Sequence, residues 1–238
     1  MQAGVMMTAP AFDHPAVDDP DADPQLHRHL REATLRSEQV YSGSFLDVRR
    51  DQIHLPDGAT ATREYIVHPG AVMVVPLLDD GRLVVERQWR YPLARAMLEF
   101  PAGKLEAGEP PLACAVRELA EETGYVAAEW ARAGILHNAI AYSSEGIEVW
   151  FARGLVLGER RLDAGEFLDV ASASLDELDA LARDGTLTDA KTLVGLLWLH
   201  HWRAGRWPLE WRPAAAVAAT VDNPPMEATA RSNQAQRP

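Results

Sequence analysis

Three carboxylates of one short segment, Glu118, Glu121 and Glu122, lie three and four residues apart, the spacing at which side chains are neighbours on a helix surface. Leu112, Ala115, Val116 and Leu119 recur at i, i+3, i+4 and i+7, the apolar stripe of an amphipathic helix packed on a core. The carboxylates and Arg117 fall off that stripe, so one helix buries one face and carries a dense acidic cluster on another. Pro110 and Pro111 suit its start. Thr123-Gly124 suits its end, because glycine accepts the left-handed conformation that stops helices. Like charges at this spacing cost an isolated helix roughly a few tenths of a kcal/mol per pair. Either solvent and Arg117 relieve that repulsion, or a hard divalent cation does. Mg²⁺ and Mn²⁺ take oxygen ligands and keep waters that substrate phosphates can replace.

The preceding loop decides between the two. Read with the helix, the segment fits G-x5-E-x7-R-E-U-x-E-E-x-G-U, with U a bulky apolar residue, at Gly103, Glu109, Arg117, Glu118, Leu119, Glu121, Glu122, Gly124 and Tyr125. This is the Nudix box, and the sequence resembles the Nudix hydrolases; Tyr125 is aromatic where an aliphatic residue is usual. Further segments resemble the ADP-ribose pyrophosphatase branch. They are Val40-Tyr41-Ser42-Gly43, Leu55-Pro56-Asp57-Gly58, His68-Pro69-Gly70-Ala71-Val72, Gln88-Trp89-Arg90-Tyr91-Pro92, Leu98-Glu99-Phe100-Pro101-Ala102-Gly103-Lys104, Tyr142-Ser143-Ser144-Glu145 and Thr188-Asp189-Ala190-Lys191-Thr192. The resemblance runs from about residue 35 to 203.

Organisation follows in four parts. Residues 1–30 open with four prolines among five aspartates and no Lys or Arg before residue 26, too little apolar surface to fold, and are expected to be a disordered tail. Residues 31–69 hold short β-rich runs divided by the turn signal Pro56-Asp57-Gly58, and read as a small antiparallel sheet. Residues 70–211 form the main body. Strands over 72–78 and 82–89 meet at Asp79-Asp80-Gly81, the box helix follows, and Ile147 to Ala152 is a further strand. Ser174-Leu175-Asp176-Glu177 is a capping box opening a helix that stops near Gly185. Thr188 or Asp189 caps another, with Leu193, Leu196, Leu197 and His200 as its apolar side. Residues 212–238 read as a loose tail. The fold class is α/β, and the resemblance implies a Nudix-type α/β/α sandwich with a mixed sheet, preceded by the small β-sheet subdomain.

Composition bounds the partners. A formal net charge of −12 argues against a nucleic-acid surface but not against a nucleotide, since bound Mg²⁺ supplies local positive charge. The single cysteine, Cys114, fits a reducing cytoplasm and reads as a small residue near the helix core. No apolar run reaches the ~18 residues of a membrane span, and no leader is expected, so a cytoplasmic protein without membrane partners is the reading.

A pyrophosphate repels nucleophiles, so its hydrolysis needs charge neutralisation and hydroxide near neutral pH. Metal held by Glu118 and Glu122 answers both needs, with Glu121 as a further ligand or as the base. The resemblance adds the backbone carbonyl of Ala102 as a ligand and Glu145 as a mobile glutamate that takes the proton from attacking water. Glu109 and Arg117 read as supports, an Arg fork fixing carboxylate orientation. Arg90 is a candidate for gripping phosphate or ribose and Glu99 for bonding a sugar hydroxyl or a metal-bound water, set against an interstrand ion pair and a solvated strand end. Trp89 and Tyr41 are set between stacking an adenine and core packing.

The resemblance implies a Mg²⁺-dependent hydrolase, with Mn²⁺ as substitute, acting on a nucleoside diphosphate linked to another moiety, first ADP-ribose. One departure matters for specificity. Where ADP-ribose hydrolases of the family carry a Pro-Gly pair, this sequence has Ile140-Ala141. Alternatives are another nucleotide sugar or a dinucleotide as substrate, a non-catalytic nucleotide-binding regulator, or an inert interaction module. The branch also implies a homodimer built on the N-terminal sheet.

Overall fold

The computed structural model describes residues 27–214, so the tail readings for 1–26 and 215–238 fall outside the described residues. The chain divides into two compact units, the first ending at Tyr65 and the second beginning at Ile66.

In the first unit a 3-10 turn at Arg28–Leu30 leads into β1 (Ala33–Ser42), β2 (Asp47–His54) and β3 (Thr60–Val67), a three-stranded sheet in that order. The strands β1 and β2 are antiparallel, with register shifts after Thr34 and Gln39. Between β2 and β3 the chain turns where Pro56-Asp57-Gly58 signals it. Asp57 Oδ1 accepts the Ala59 N–H at 2.9 Å, and Gly58 takes φ 87°, a value that favours glycine. Every residue of β1 is exposed, Leu35, Val40 and Tyr41 among them.

The second unit is built on β4 (Ala71–Pro76), buried at every position. Such a strand is apolar on both faces and needs cover on both. Met73 and Val75 enter one core, while Val72 and Val74 enter another, as the two-residue period of a strand requires. Then come β5 (Leu83–Arg90), β6 (Arg95–Glu99), β7 (Ala102–Lys104), α1 (Pro111–Glu118), β8 (Tyr125–Leu136), β9 (Ile147–Leu157), β10 (Leu168–Ala173), α2 (Leu175–Arg183), α3 (Ala190–Arg203) and β11 (Arg212–Pro213). One sheet is mixed, ordered β11-β8-β9-β4-β7 with β4 and β9 parallel; the other is ordered β10-β5-β6 and antiparallel. The core of Val72 and Val74 lies under α1, with Cys114, Ala115, Leu119, Trp130 and Ala152. The core of Met73 and Val75 lies against α2 and α3, with Phe100, Leu178, Leu196 and Leus 187 and 199. Helices on both sides of the strands make the α/β/α sandwich of the expected fold. Arg212 and Pro213, placed by the sequence in a loose tail, pair with Trp130 and Glu129 of β8.

The capping box is realised: Ser174 Oγ accepts the Glu177 N–H at 3.2 Å, and Glu177 accepts the Ser174 N–H at 2.7 Å. Asp189 caps α3 by accepting the Thr192 N–H at 2.9 Å. The apolar side expected for α3 is rotated in the structure. Thr192, Gly195, Leu196 and Leu199 are its buried residues, Leu193 and Leu197 are exposed, and His200 pairs with Asp179 at 2.9 Å. A polar Thr and a Gly define this seam because Thr192 Oγ1 accepts the Phe100 N–H at 2.9 Å and Gly195 lets the helix sit directly on Met73 and Phe100. Hydropathy alone does not register either role.

Candidate active site

The helix α1 does not end as a simple α-helix. After Glu118 it widens into a π turn over Leu119–Thr123, closed by Gly124 at φ 77°. Single π turns are frequent at functional sites because they re-aim side chains, and this one divides the acidic cluster. Glu121 stays on the outer side with about a third of its side chain exposed. Glu122 turns inward until only 3% remains exposed, and its Oε2 accepts the Ala102 N–H at 3.0 Å. Glu118 is driven against β7: a Cβ at Gly103 would lie 1.8 Å from its Oε1. The first glycine of the box is therefore there to let a carboxylate approach the strand.

Arg117 organises the outer carboxylates. Its Nε and Nη2 donate to both oxygens of Glu109 at 2.8 and 2.9 Å, and its Nη1 donates to Glu118 at 2.8 Å and Glu121 at 3.1 Å. That fork holds the Glu109 carboxyl down at about 2. The inner carboxylates have no such help. Burial, then the charges of Glu86, Glu118 and Glu166, push Glu122 up to about 10. Burial also raises Glu118, against the pull of Arg117.

Arg90 and Glu99 are brought together, but with each other. Arg90 donates through Nε and Nη2 to the two Glu99 oxygens, both at 2.6 Å, and Lys191 adds a further ion pair to Glu99. Burial alone would raise Glu99, yet these two cations hold it below the usual carboxylate range. Glu145 lies in the loop between β8 and β9, and its carboxylate sits 3.5 Å from His68 Nε2. His68 Nδ1 accepts the Gly70 N–H at 3.1 Å, which leaves Nε2 as the nitrogen facing Glu145. Trp89 is 58% exposed and Tyr41 56%, so neither is a core aromatic. Ile140 of the altered loop is exposed as well. Cys114 is fully buried, burial pushing its thiol up, and is a packing residue.

Sequence reasoning missed four residues here. Lys191 stands in a segment already singled out, and Glu166 in the loop between β9 and β10 adds its charge to Glu118, Glu122 and Glu86. His68 opens the turn before β4. Glu86 had a legible signal: it follows the buried run Leu83-Val84-Val85 and shares the strand parity of Val84, so it had to face inward.

Among the described residues no three carboxylate, histidine or cysteine side chains converge closely enough to hold a metal ion as they stand. Arg117 occupies Glu118 and Glu121, and Ala102 occupies one Glu122 oxygen. The donor set nevertheless fits a hard divalent cation. It is all oxygen, it is buried, and Glu86 has neither carboxylate oxygen partnered.

A model of the NUDIX domain matches residues 67–194, and a nucleoside diphosphate sugar hydrolase N-terminal domain matches 32–66. The chain belongs to the Nudix family and is a Nudix hydrolase. It is 38% identical to an ADP-ribose pyrophosphatase of Bacillus subtilis (strain 168), across 72% of this chain and 94% of that one. It is 41% identical to an ADP-ribose pyrophosphatase of Mycobacterium tuberculosis (strain ATCC 25618 / H37Rv), across 79% and 96%. The crystal structure of an ADP compounds hydrolase superposes with a TM-score of 0.67 at 25% identity, covering 74% of this chain and 96% of that one.

Proposed function

We propose that the protein hydrolyses the pyrophosphate bond of ADP-ribose to AMP and ribose 5-phosphate, using Mg²⁺, with Mn²⁺ as a working substitute. The observation that carries this is the buried Glu122, pressed beside Glu118 and β7, in a chain similar over nearly their whole length to two proteins named ADP-ribose pyrophosphatase. When bound, the cation supplies charge neutralisation of the phosphates and lowers the pKa of a water. Glu118 and Glu122, with the Ala102 backbone, are the residues to hold it, and Glu121 stands by as a further ligand.

The remaining residues orient and move protons. Arg117 fixes Glu109, Glu118 and Glu121 relative to one another. Glu145 is the candidate base, oriented by His68, and Glu121 is its rival because it retains solvent access. Arg90 keeps part of its side chain exposed while clamped on Glu99, a geometry suited to meeting a phosphate or ribose hydroxyl.

A second reading, another nucleotide sugar or dinucleotide, is favoured by Ile140-Ala141 and by the breadth of names among similar proteins. These include a mouse ADP-sugar pyrophosphatase, 32% identical, and the ADP compounds hydrolase NudE of Escherichia coli (strain K12), 28% identical. The intact box argues against a non-catalytic regulator. We also place the protein in the cytoplasm as a homodimer formed through the β1–β3 sheet. Among the described residues no helix is long and apolar enough to cross a membrane.

The test is a panel of ADP-ribose, ADP-glucose, GDP-mannose, NADH and diadenosine polyphosphates with Mg²⁺, beside Glu122→Gln, with products separated by chromatography. AMP and ribose 5-phosphate should appear fastest from ADP-ribose and fall at least a hundredfold in the variant. Faster cleavage of another member moves specificity to the Ile140-Ala141 loop. No cation-dependent cleavage of any overturns the reading.

A further inference from the structure

Glu86 is the least explained charged residue of the second unit. It is 0% exposed, and neither carboxylate oxygen has a hydrogen-bond partner. An ionisable group left so is costly, and native structures rarely keep one without a use. Its direction follows from the strand. Leu83 and Val85 pack into the core against α2 and α3, so Val84, Glu86, Gln88 and Arg90 face the opposite side of β5. Glu86 lies directly across from Glu99 in the β5–β6 register, and Leu98 packs on the far core, so Glu99 shares its side. Glu99 is satisfied by Arg90 and Lys191, while Glu86 bonds to neither, feeling both only at a distance. The charges of Glu99 and Glu166 act on Glu86, and the charge of Glu86 acts in turn on Glu122. Of the charges around Glu122, that of Glu86 is the strongest.

We infer that Glu86 is a cation-binding residue, a carboxylate that β5 supplies to the divalent-metal site beside those of the box helix, directly or through one metal-bound water. Two buried glutamates from separate elements, one with both oxygens unpartnered, make a site whose missing component is positive and oxygen-seeking. The box helix supplies only one of these two carboxylates. This inference rests on the proposed metal-dependent reading of the same site.

The test measures cation binding directly, in the absence of substrate. Mn²⁺ affinity would be read from the paramagnetic signal of free Mn²⁺ during titration, for wild type, Glu86→Gln, Glu86→Met and Glu122→Gln, together with Tm in chelator and in excess Mg²⁺. Glu86→Gln should lose about tenfold or more in Mn²⁺ affinity, the scale found for residues supporting a metal site. In chelator it should be at least as stable as wild type, since a buried unpaired carboxylate has gone, and Mg²⁺ should raise its Tm less. Glu86→Met keeps the volume without polarity and should behave alike, which separates loss of a ligand from loss of packing. Mn²⁺ affinity within twofold of wild type in both Glu86 variants, with Glu122→Gln impaired, overturns the role of Glu86 alone. Wild type that binds no Mn²⁺ overturns the metal-dependent reading and this inference with it.

Discussion

Arg117 donates to three carboxylates at once, and the consequence for Glu109 can be given a sign. A carboxyl whose pKa falls on folding stabilises the native state above its ordinary 4.5 and loses that contribution as the pH drops through about 2. Wild type should therefore show its full Tm advantage over Glu109→Gln above pH 4.5. The advantage should shrink as the pH falls and vanish near 2, where Glu109 is protonated in both folded and unfolded chains. Scanning calorimetry of the pair across that range is the measurement. An advantage that stayed constant with pH would mean the fork contributes through packing and not through charge. The inner carboxylates behave oppositely. Glu122 and Glu86 are raised mainly by burial, which outweighs the Ala102 N–H at Glu122 and the distant charges of Lys191 and Arg90 at Glu86.

At the scale of elements, α3 separates what hydropathy reads from what packing selects. Leu196 is 4% exposed and Leu197 49%, though the sequence pattern placed both on one apolar side. Leu196→Ala should cost about 2–5 kcal/mol, and Leu197→Ala should stay within about 0.5 kcal/mol. Urea denaturation of the two variants decides it, and equal losses would restore the unrotated helix. The same contrast explains what was legible elsewhere. The box carboxylates were readable because their relation is local, a matter of residues three and four apart on one helix. The π turn was not, because the sequence pattern that makes an α-helix also admits it, and it changes which carboxylate is buried. Ser174 and Asp189 were readable because a cap is a bond within one turn. Arg90 forms the interstrand ion pair that is its alternative reading, with Glu99 of β6, whereas Lys191 meets the same glutamate across ninety-two residues, a pairing no spacing in the chain announces. Of the two fates open to Trp89 and Tyr41, core packing is the one their exposure removes.

At the scale of the molecule, the formal charge of −12 coexists with an anionic substrate class, which is workable only if the site carries its own positive charge at the moment of binding. The first unit raises a different question. Its strand β1 exposes all ten residues, and Leu35, Val40, Tyr41, Phe45 and Leu46 all stand among the exposed hydrophobics of this unit. A long, exposed edge strand with apolar side chains is a template for association, and proteins that keep such a strand cover it or blunt it with charge. Here Arg36 and Glu38 supply some charge, but Val40 and Tyr41 follow with none between them. A two-fold dimer, the commonest closed assembly, would cover the strand at no cost in extra sequence. Light scattering behind size exclusion should give twice the chain mass at micromolar concentration. Replacing Val40 and Tyr41 together by Lys should shift the protein to the single-chain mass while its circular dichroism stays unchanged, because neither side chain is part of a core. Wild type that elutes as a single chain sinks the dimer. Wild type that is dimeric and unaffected by the double variant keeps the dimer but moves its interface off β1.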